Sequence, residues 1–116
     1  MRGSSPSDTV PPQIGSFTAS PNPVTADSPA TLTAAGVQAL APGSTITQVA
    51  FYVDSNNNGI LEPSTDTLLG YGTQTSTGTW TFTFTFSTAG TYKLFAQARD
   101  SYGVLSDPLS VDLQVS

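Results

Sequence analysis

Thr79-Trp80-Thr81-Phe82-Thr83-Phe84-Thr85-Phe86 alternates threonine with a large aromatic side chain without a break. Successive side chains of a strand point to opposite faces, so Trp80, Phe82, Phe84 and Phe86 share one face and the four threonines the other. A helix would scatter the same rings around its axis, so the stretch predicts a half-buried strand. Its neighbours follow the same period. Ile46 to Val53 places Val49, Phe51 and Val53 on one face and Gln48, Ala50 and Tyr52 on the other. Thr91 to Asp100 sends Tyr92, Leu94, Ala96 and Ala98 inward and Lys93, Phe95, Gln97 and Arg99 outward.

Outward from these, Ile14 to Ala19 reads as a first strand anchored by Phe17. Ser20-Pro21-Asn22-Pro23 stops it, because proline cannot donate to a sheet ladder. Ala30 to Ala34 alternates as a second strand, and Leu40 to Ser44 is a loop on Pro42-Gly43. Thr67 to Tyr71 is a short strand, and Thr73 to Gly78 reads as a Thr/Ser-rich turn. Asp100-Ser101-Tyr102-Gly103 is a hairpin turn, and Val104 to Val115 closes the domain with Asp107-Pro108 interrupting its start. About seven short strands at roughly ten-residue spacing, with turns between and no helical period, predict an all-β fold: a two-sheet antiparallel sandwich. The expected core is Trp80, Phe82, Phe84, Phe51, Val53, Leu32, Leu94 and Val111.

The 116 residues suffice for one domain with one core. Residues 1–12 read as a non-domain start, Met1-Arg2-Gly3-Ser4 being an expression-vector remnant and Ser4 to Pro12 a flexible linker, and residues 13–116 as the sandwich. A net charge of −5 argues against nucleic acid, whose phosphates want a basic face. No run is long and apolar enough to span a membrane as a helix. The chain has no Cys and no His, which removes disulfides, thiolates, the commonest general base and the usual nucleophile–base pairs. On that ground the chain is expected not to be an enzyme.

The loop from Asp54 to Asp66 is where oxygen-bearing side chains cluster at regular spacing. Asp54, Asn56 and Asn58 recur every second residue, Gly59 follows, and Glu62 and Asp66 come after. A hard cation such as calcium takes several oxygens from one sharply turning loop. In the EF-hand type of loop these come from positions one, three, five, a carbonyl at seven, nine and a late carboxylate, with Gly at six. Counted from Asp54, the set is Asp54, Asn56, Asn58, the Ile60 carbonyl and Glu62, with Gly59 at six. The closing carboxylate, Asp66, falls one residue late. A calcium site on Asp54, Asn56, Asn58, Ile60, Glu62 and Asp66 is the first reading. The second is a plain hairpin tip, since Asn, Gly, Pro, Ser and Asp are ordinary turn formers.

Ser16-Phe17-Thr18-Ala19-Ser20-Pro21, Val24 and Ala30-Thr31-Leu32-Thr33-Ala34 resemble the opening of bacterial immunoglobulin-like domains. Gly90-Thr91-Tyr92-Lys93-Leu94-Phe95-Ala96-Gln97-Ala98-Arg99-Asp100 resembles the sixth strand of such domains and of the polycystic-kidney-disease type of repeat. Phe51-Tyr52-Val53-Asp54 through Asp66-Thr67-Leu68-Leu69-Gly70 is similar to a segment of the immunoglobulin-like repeats in very large exoproteins of planctomycetes and related bacteria. The resemblance runs from about Pro11 to the end. It implies an immunoglobulin-like sandwich, a secreted or bacterial cell-surface setting, tandem repetition with neighbouring domains of the same polypeptide as partners, and a structural, spacer role. The sequence departs from the family pattern at the displaced closing carboxylate and at Glu62, where Asp is usual. Tyr92 falls at the tyrosine-corner position, whose hydroxyl bonds back to the backbone; a plain core aromatic is the other reading.

Weaker constellations remain. Asp100 and Asp107 fit a glycosidase-like acid–base pair or, more simply, a turn cap and a pre-proline residue. The Thr79, Thr81, Thr83 and Thr85 row suits a flat surface such as ice or a glycan, or is the wet face of a strand. Phe95, Tyr52 and Tyr102 suit a carbohydrate or protein ligand or are scattered surface aromatics. The expectation is therefore a spacer module, monomeric as an isolated domain and stabilised by calcium on loop 54–66. The alternative is an adhesin-like carbohydrate- or protein-binding sandwich.

Overall fold

The computed structural model describes residues 10–55, 59–61 and 66–116. Among them there are eight strands: β1 (Ser16–Ser20), β2 (Pro29–Ala35), β3 (Ile46–Val53), β4 (Thr67–Tyr71), β5 (Thr73–Ser76), β6 (Thr79–Thr85), β7 (Gly90–Asp100) and β8 (Leu109–Val115). They form two four-stranded antiparallel sheets, β1-β2-β6-β5 and β4-β3-β7-β8, packed face to face. With β1 and β2 as A and B, and β3 as C, this is the immunoglobulin-type order, A-B-E-D facing C-F-G with one added strand beside C.

The alternation that predicted the sandwich sets its inner faces. Leu32 and Ala34 of β2, Val49 and Phe51 of β3, and Leu94, Ala96 and Ala98 of β7 are fully enclosed. A line of rings runs through them, Phe17–Phe51–Phe82–Phe84–Phe86–Tyr92, with successive centroids 4.4 to 6.3 Å apart. Each such pair adds about 0.5–1.5 kcal/mol beyond area burial. The Tyr92 hydroxyl donates to the Thr88 carbonyl at 2.6 Å, so the corner reading of this residue holds.

Four expectations need correction. Thr73 to Ser76 is a strand, not a turn; all four residues are exposed, so no apolar periodicity marks it. β4 passes from one sheet to β5 in the other through Gly72, which donates to Val49 O at 2.8 Å. A Cβ on Gly72 would sit 2.8 Å from the Phe51 ring, and one on Gly70 2.6 Å from the Phe82 ring, so glycine is what lets the aromatic row come this close. Second, Trp80, Phe82, Phe84, Val53 and Val111 are only half-buried, whereas Phe51, Leu32 and Leu94 are enclosed as expected. β6 is covered on one side only by the short β5, so its rings close the flank of the sandwich rather than its centre. Third, Phe95 is buried although it points to the outer face. Fourth, the last strand begins at Leu109; Val104 to Pro108 is irregular, joined to β7 through an Arg99–Leu105 bridge and Ser106 Oγ, which accepts from Ala98 N at 2.8 Å.

The pairings fix what lies at each end. Ser16 pairs with Ala35 and Ile46 with Asp100 at the first end; Pro29 pairs with Thr85, Val53 with Leu94 and Gly90 with Val115 at the second. β1 therefore starts at the first end and β8 finishes at the second. Asp54 and Asp66, which follow β3 and precede β4, are at the second end, where β8 also finishes. There Val24 bridges Val115 in parallel, through Val24 N to Gln114 O at 2.8 Å and Ser116 N to Val24 O at 2.9 Å.

Candidate functional site

Asp54 and Asp66 flank the last ladder pair of β3 and β4, Val53 and Thr67, so the pairing itself sets the two carboxylates opposite each other. Both are buried, with 8% and 6% of their surface exposed. Asp54 N is held by Lys93 O at 2.9 Å, which ties the start of the loop to β7. Asp54 Oδ2 accepts from Gly59 N at 2.8 Å, and Asp66 Oδ1 accepts from Ser55 N at 3.1 Å. The first of these bonds turns the Asp54 carboxylate into the loop and closes it from position one to position six. Gly59 has φ +74°, the left-handed conformation that the turn at position six requires and that glycine adopts without strain. The Ile60 side chain is 64% exposed, which suits a position whose backbone, not its side chain, serves the loop.

Asp54 Oδ1 is enclosed and, among the described residues, has no hydrogen-bond partner. Burying a carboxylate oxygen unpaired is costly, and in native proteins such an atom is met by a water or an ion. Among the described residues, no three His, Cys, Asp or Glu side chains gather as a metal would need. Of the expected ligands, Asn56, Asn58 and Glu62 lie outside the described residues. The structure thus brings together Asp54, Gly59 and Asp66.

The remaining expected sites sort by position. Asp100, 1% exposed, takes Tyr102 N at 3.0 Å and Val104 N at 2.9 Å on Oδ1 and caps the turn after β7, while Asp107 is exposed. The threonine row lies on the outer face of the β1-β2-β6-β5 sheet, in register with Thr33 and Thr31 of β2. Tyr102 donates to Pro42 O at 2.8 Å at the first end. It is therefore apart from Tyr52 and Phe95, which pair with each other on the outer face of the β4-β3-β7-β8 sheet. That outer face carries a groove of 360 Å³ between Gln48, Tyr52, Gln97, Arg99 and the 103–105 turn, which the residue pattern alone did not reveal. Burial raises the Tyr52 hydroxyl above the usual tyrosine range, with Tyr71 beside it adding to the effect.

No protein-family model and no curated protein matches the chain. Solved structures do. A carbohydrate-binding module of the β-sandwich superfamily is similar at TM-score 0.64 and 20% identity, over 93% of this chain and 35% of that one. The superoxide reductase (neelaredoxin) from Ignicoccus hospitalis is similar at TM-score 0.61 and 17% identity, over 90% of this chain and 82% of that one. A variant of the same enzyme matches at TM-score 0.57 and 18% identity, over 94% and 82%. At these identities the likeness shows the fold, a β-sandwich. It also overturns the expectation that the chain is not an enzyme, since superoxide reductases share the fold over nearly the whole chain. The missing His and Cys exclude only the nucleophile–base chemistry built on them.

Proposed function

We propose that the chain is a link module of a bacterial secreted or cell-surface protein, akin to the immunoglobulin-like repeats it resembles, whose loop 54–66 is closed by a calcium ion. The observation that carries the reading is the enclosed, unpartnered Asp54 Oδ1 opposite a second buried carboxylate, Asp66. A divalent cation would be met by carboxylates from both sides of the strand pair, and hard cations take such oxygens. The side chains of Asn56, Asn58 and Glu62 and the Ile60 carbonyl would complete the oxygen set, and extracellular calcium fills even a weak site. The opposite-end placement of the β1 start and the β8 finish suits repeats strung lengthwise. The loop supplies most of the ligands itself, so the ion fastens its own loop rather than a junction with a neighbour. A calcium titration followed by thermal unfolding tests this: the midpoint should rise with calcium and fall back on chelation. An unchanged midpoint across millimolar calcium would remove the ion from the reading.

A second reading is a carbohydrate-binding module. The β-sandwich carbohydrate-binding structure supports it, together with the aromatic and amide side chains on the outer face of the β4-β3-β7-β8 sheet. A glycan array tests it, and silence on every sugar would retire it.

A further inference from the structure

Arg99 is one of three basic residues in the chain. Of the other two, Lys93 is paired with Asp112 at 2.9 Å, and Arg2 lies outside the described residues. Among the described residues Arg99 has no carboxylate partner, in a protein of net charge −5. Its guanidinium runs along the Gly103 turn: a Cβ on Gly103 would stand 3.6 Å from one terminal nitrogen and 4.0 Å from Nε. This places the charge at the rim of the groove on the outer face of β3 and β7.

Three cross-strand pairs build the groove: Tyr52 with Phe95, Ala50 with Gln97, and Gln48 with Arg99. Ala50, the small residue in the middle, makes the dip; Tyr71, its partner on β4, is 53% exposed. From Tyr52 to Gln48 the floor runs about 13 Å, four strand residues, enough for a short oligosaccharide. Gln97 is fixed by donating to Ser106 O at 3.0 Å, so its amide is already held in place. Phe95, the ladder partner of Tyr52, is itself buried. An aromatic face with two primary amides and a phenol matches the C–H face and hydroxyls of a sugar, and an unpaired guanidinium matches a carboxylate by a two-pronged hydrogen bond.

We propose that this groove binds an acidic oligosaccharide, a chain of uronic acid units, with a carboxylate on Arg99, hydroxyls on Gln48 and Gln97, and a ring against Tyr52. This rests on the carbohydrate-binding reading and names its site and ligand class.

The test is to titrate isotope-labelled protein with tetragalacturonate and with its fully methyl-esterified, neutral form, following backbone amide resonances. The acid should shift amides of Gln48, Tyr52, Gln97 and Arg99. The ester should bind at least about tenfold more weakly, and Arg99→Gln should weaken the acid by a similar factor and leave the ester unchanged. Arg99 is exposed, so this variant keeps the fold. Equal binding of acid and ester in the groove, with Arg99→Gln silent, would overturn the acidic assignment and leave the carbohydrate reading standing. Shifts confined to loop 54–66 would overturn the site, the carboxylates meeting a cation there. No shift with either sugar would overturn the proposal, and neutral sugars on the array would then decide the broader reading alone.

Discussion

Asp54 and Asp100 end neighbouring antiparallel strands, β3 and β7, at opposite ends of the sandwich, and both are buried with one carboxylate oxygen unpartnered. Around Asp100 the other oxygen takes two backbone N–H groups of a tight turn within four residues. A lone carboxylate is thereby spent on a local cap. Around Asp54, among the described residues, the other oxygen takes Gly59 N, five residues on, and a second carboxylate arrives from across the strand pair. A cap gathers donors, whereas the proposed cation site would need acceptors, and among the described residues a second buried carboxylate stands near Asp54. Burial and an orphan oxygen therefore do not by themselves mark a metal site; the proposed calcium reading rests on the company of a second buried acid.

Four experiments sharpen or break that contrast. The largest effect should come from neither end. Phe51→Ala empties the core both ends hang on and should cost about 3–5 kcal/mol, equally in calcium and in chelator; a cation-dependent loss in denaturant unfolding would mean that the loop and core are not separable. Next, Asp54→Asn should lose the calcium-dependent gain, about 2.7 kcal/mol when the ion is at a hundredfold its Kd, yet stay within about 0.5 kcal/mol of the parent in chelator. If it is equally weakened in both, Asp54 is a cap like Asp100. Asp100→Ala strands two N–H groups and should cost about 1–3 kcal/mol whatever the cation; a calcium-sensitive loss would place an ion at that end instead. The smallest effect is on the outer face, at Tyr52. The raised Tyr52 hydroxyl favours the neutral form in the folded state. Its contribution is full below the unfolded value near 10 and fades as pH rises through the higher folded value. Tyr52→Phe should flatten the alkaline fall in stability, and an unchanged pH profile would contradict the burial of that hydroxyl.

How much of this was legible depended on whether a feature is local. β6 was readable because its Thr–aromatic alternation is carried within eight residues; of the acidic loop, the burial of Asp54 and Asp66 and the turn at Gly59 are seen, while Asn56, Asn58 and Glu62 lie outside the described residues. β5 was not, since Thr73–Ser76 buries nothing and is a strand only because β6 offers it an edge. The half-burial of Trp80, Phe82 and Phe84 depends on how little β5 covers. The groove at Arg99 arises from cross-strand register, which sets Ala50 between Tyr52 and Gln48 and opposite Gln97, and no single stretch contains it.

The parallel contact of Val24 with Val115 has a mechanical consequence. If the ends of the domain are pulled apart, the segment after β1 is drawn toward the first end and the close of β8 toward the second. The bonds Val24 N–Gln114 O, Ser116 N–Val24 O and Ala26 N–Ser116 O lie across that line of force, so they are loaded in shear and must fail together rather than unzip one by one. The Asn22 amide, which donates to Asp112 O at 2.8 Å and accepts from Gln114 N at 3.1 Å, extends the same clasp by two bonds. Stretched between two handles, the domain should yield in one abrupt step, and Asn22→Ala should lower the force of that step while barely moving the thermal midpoint.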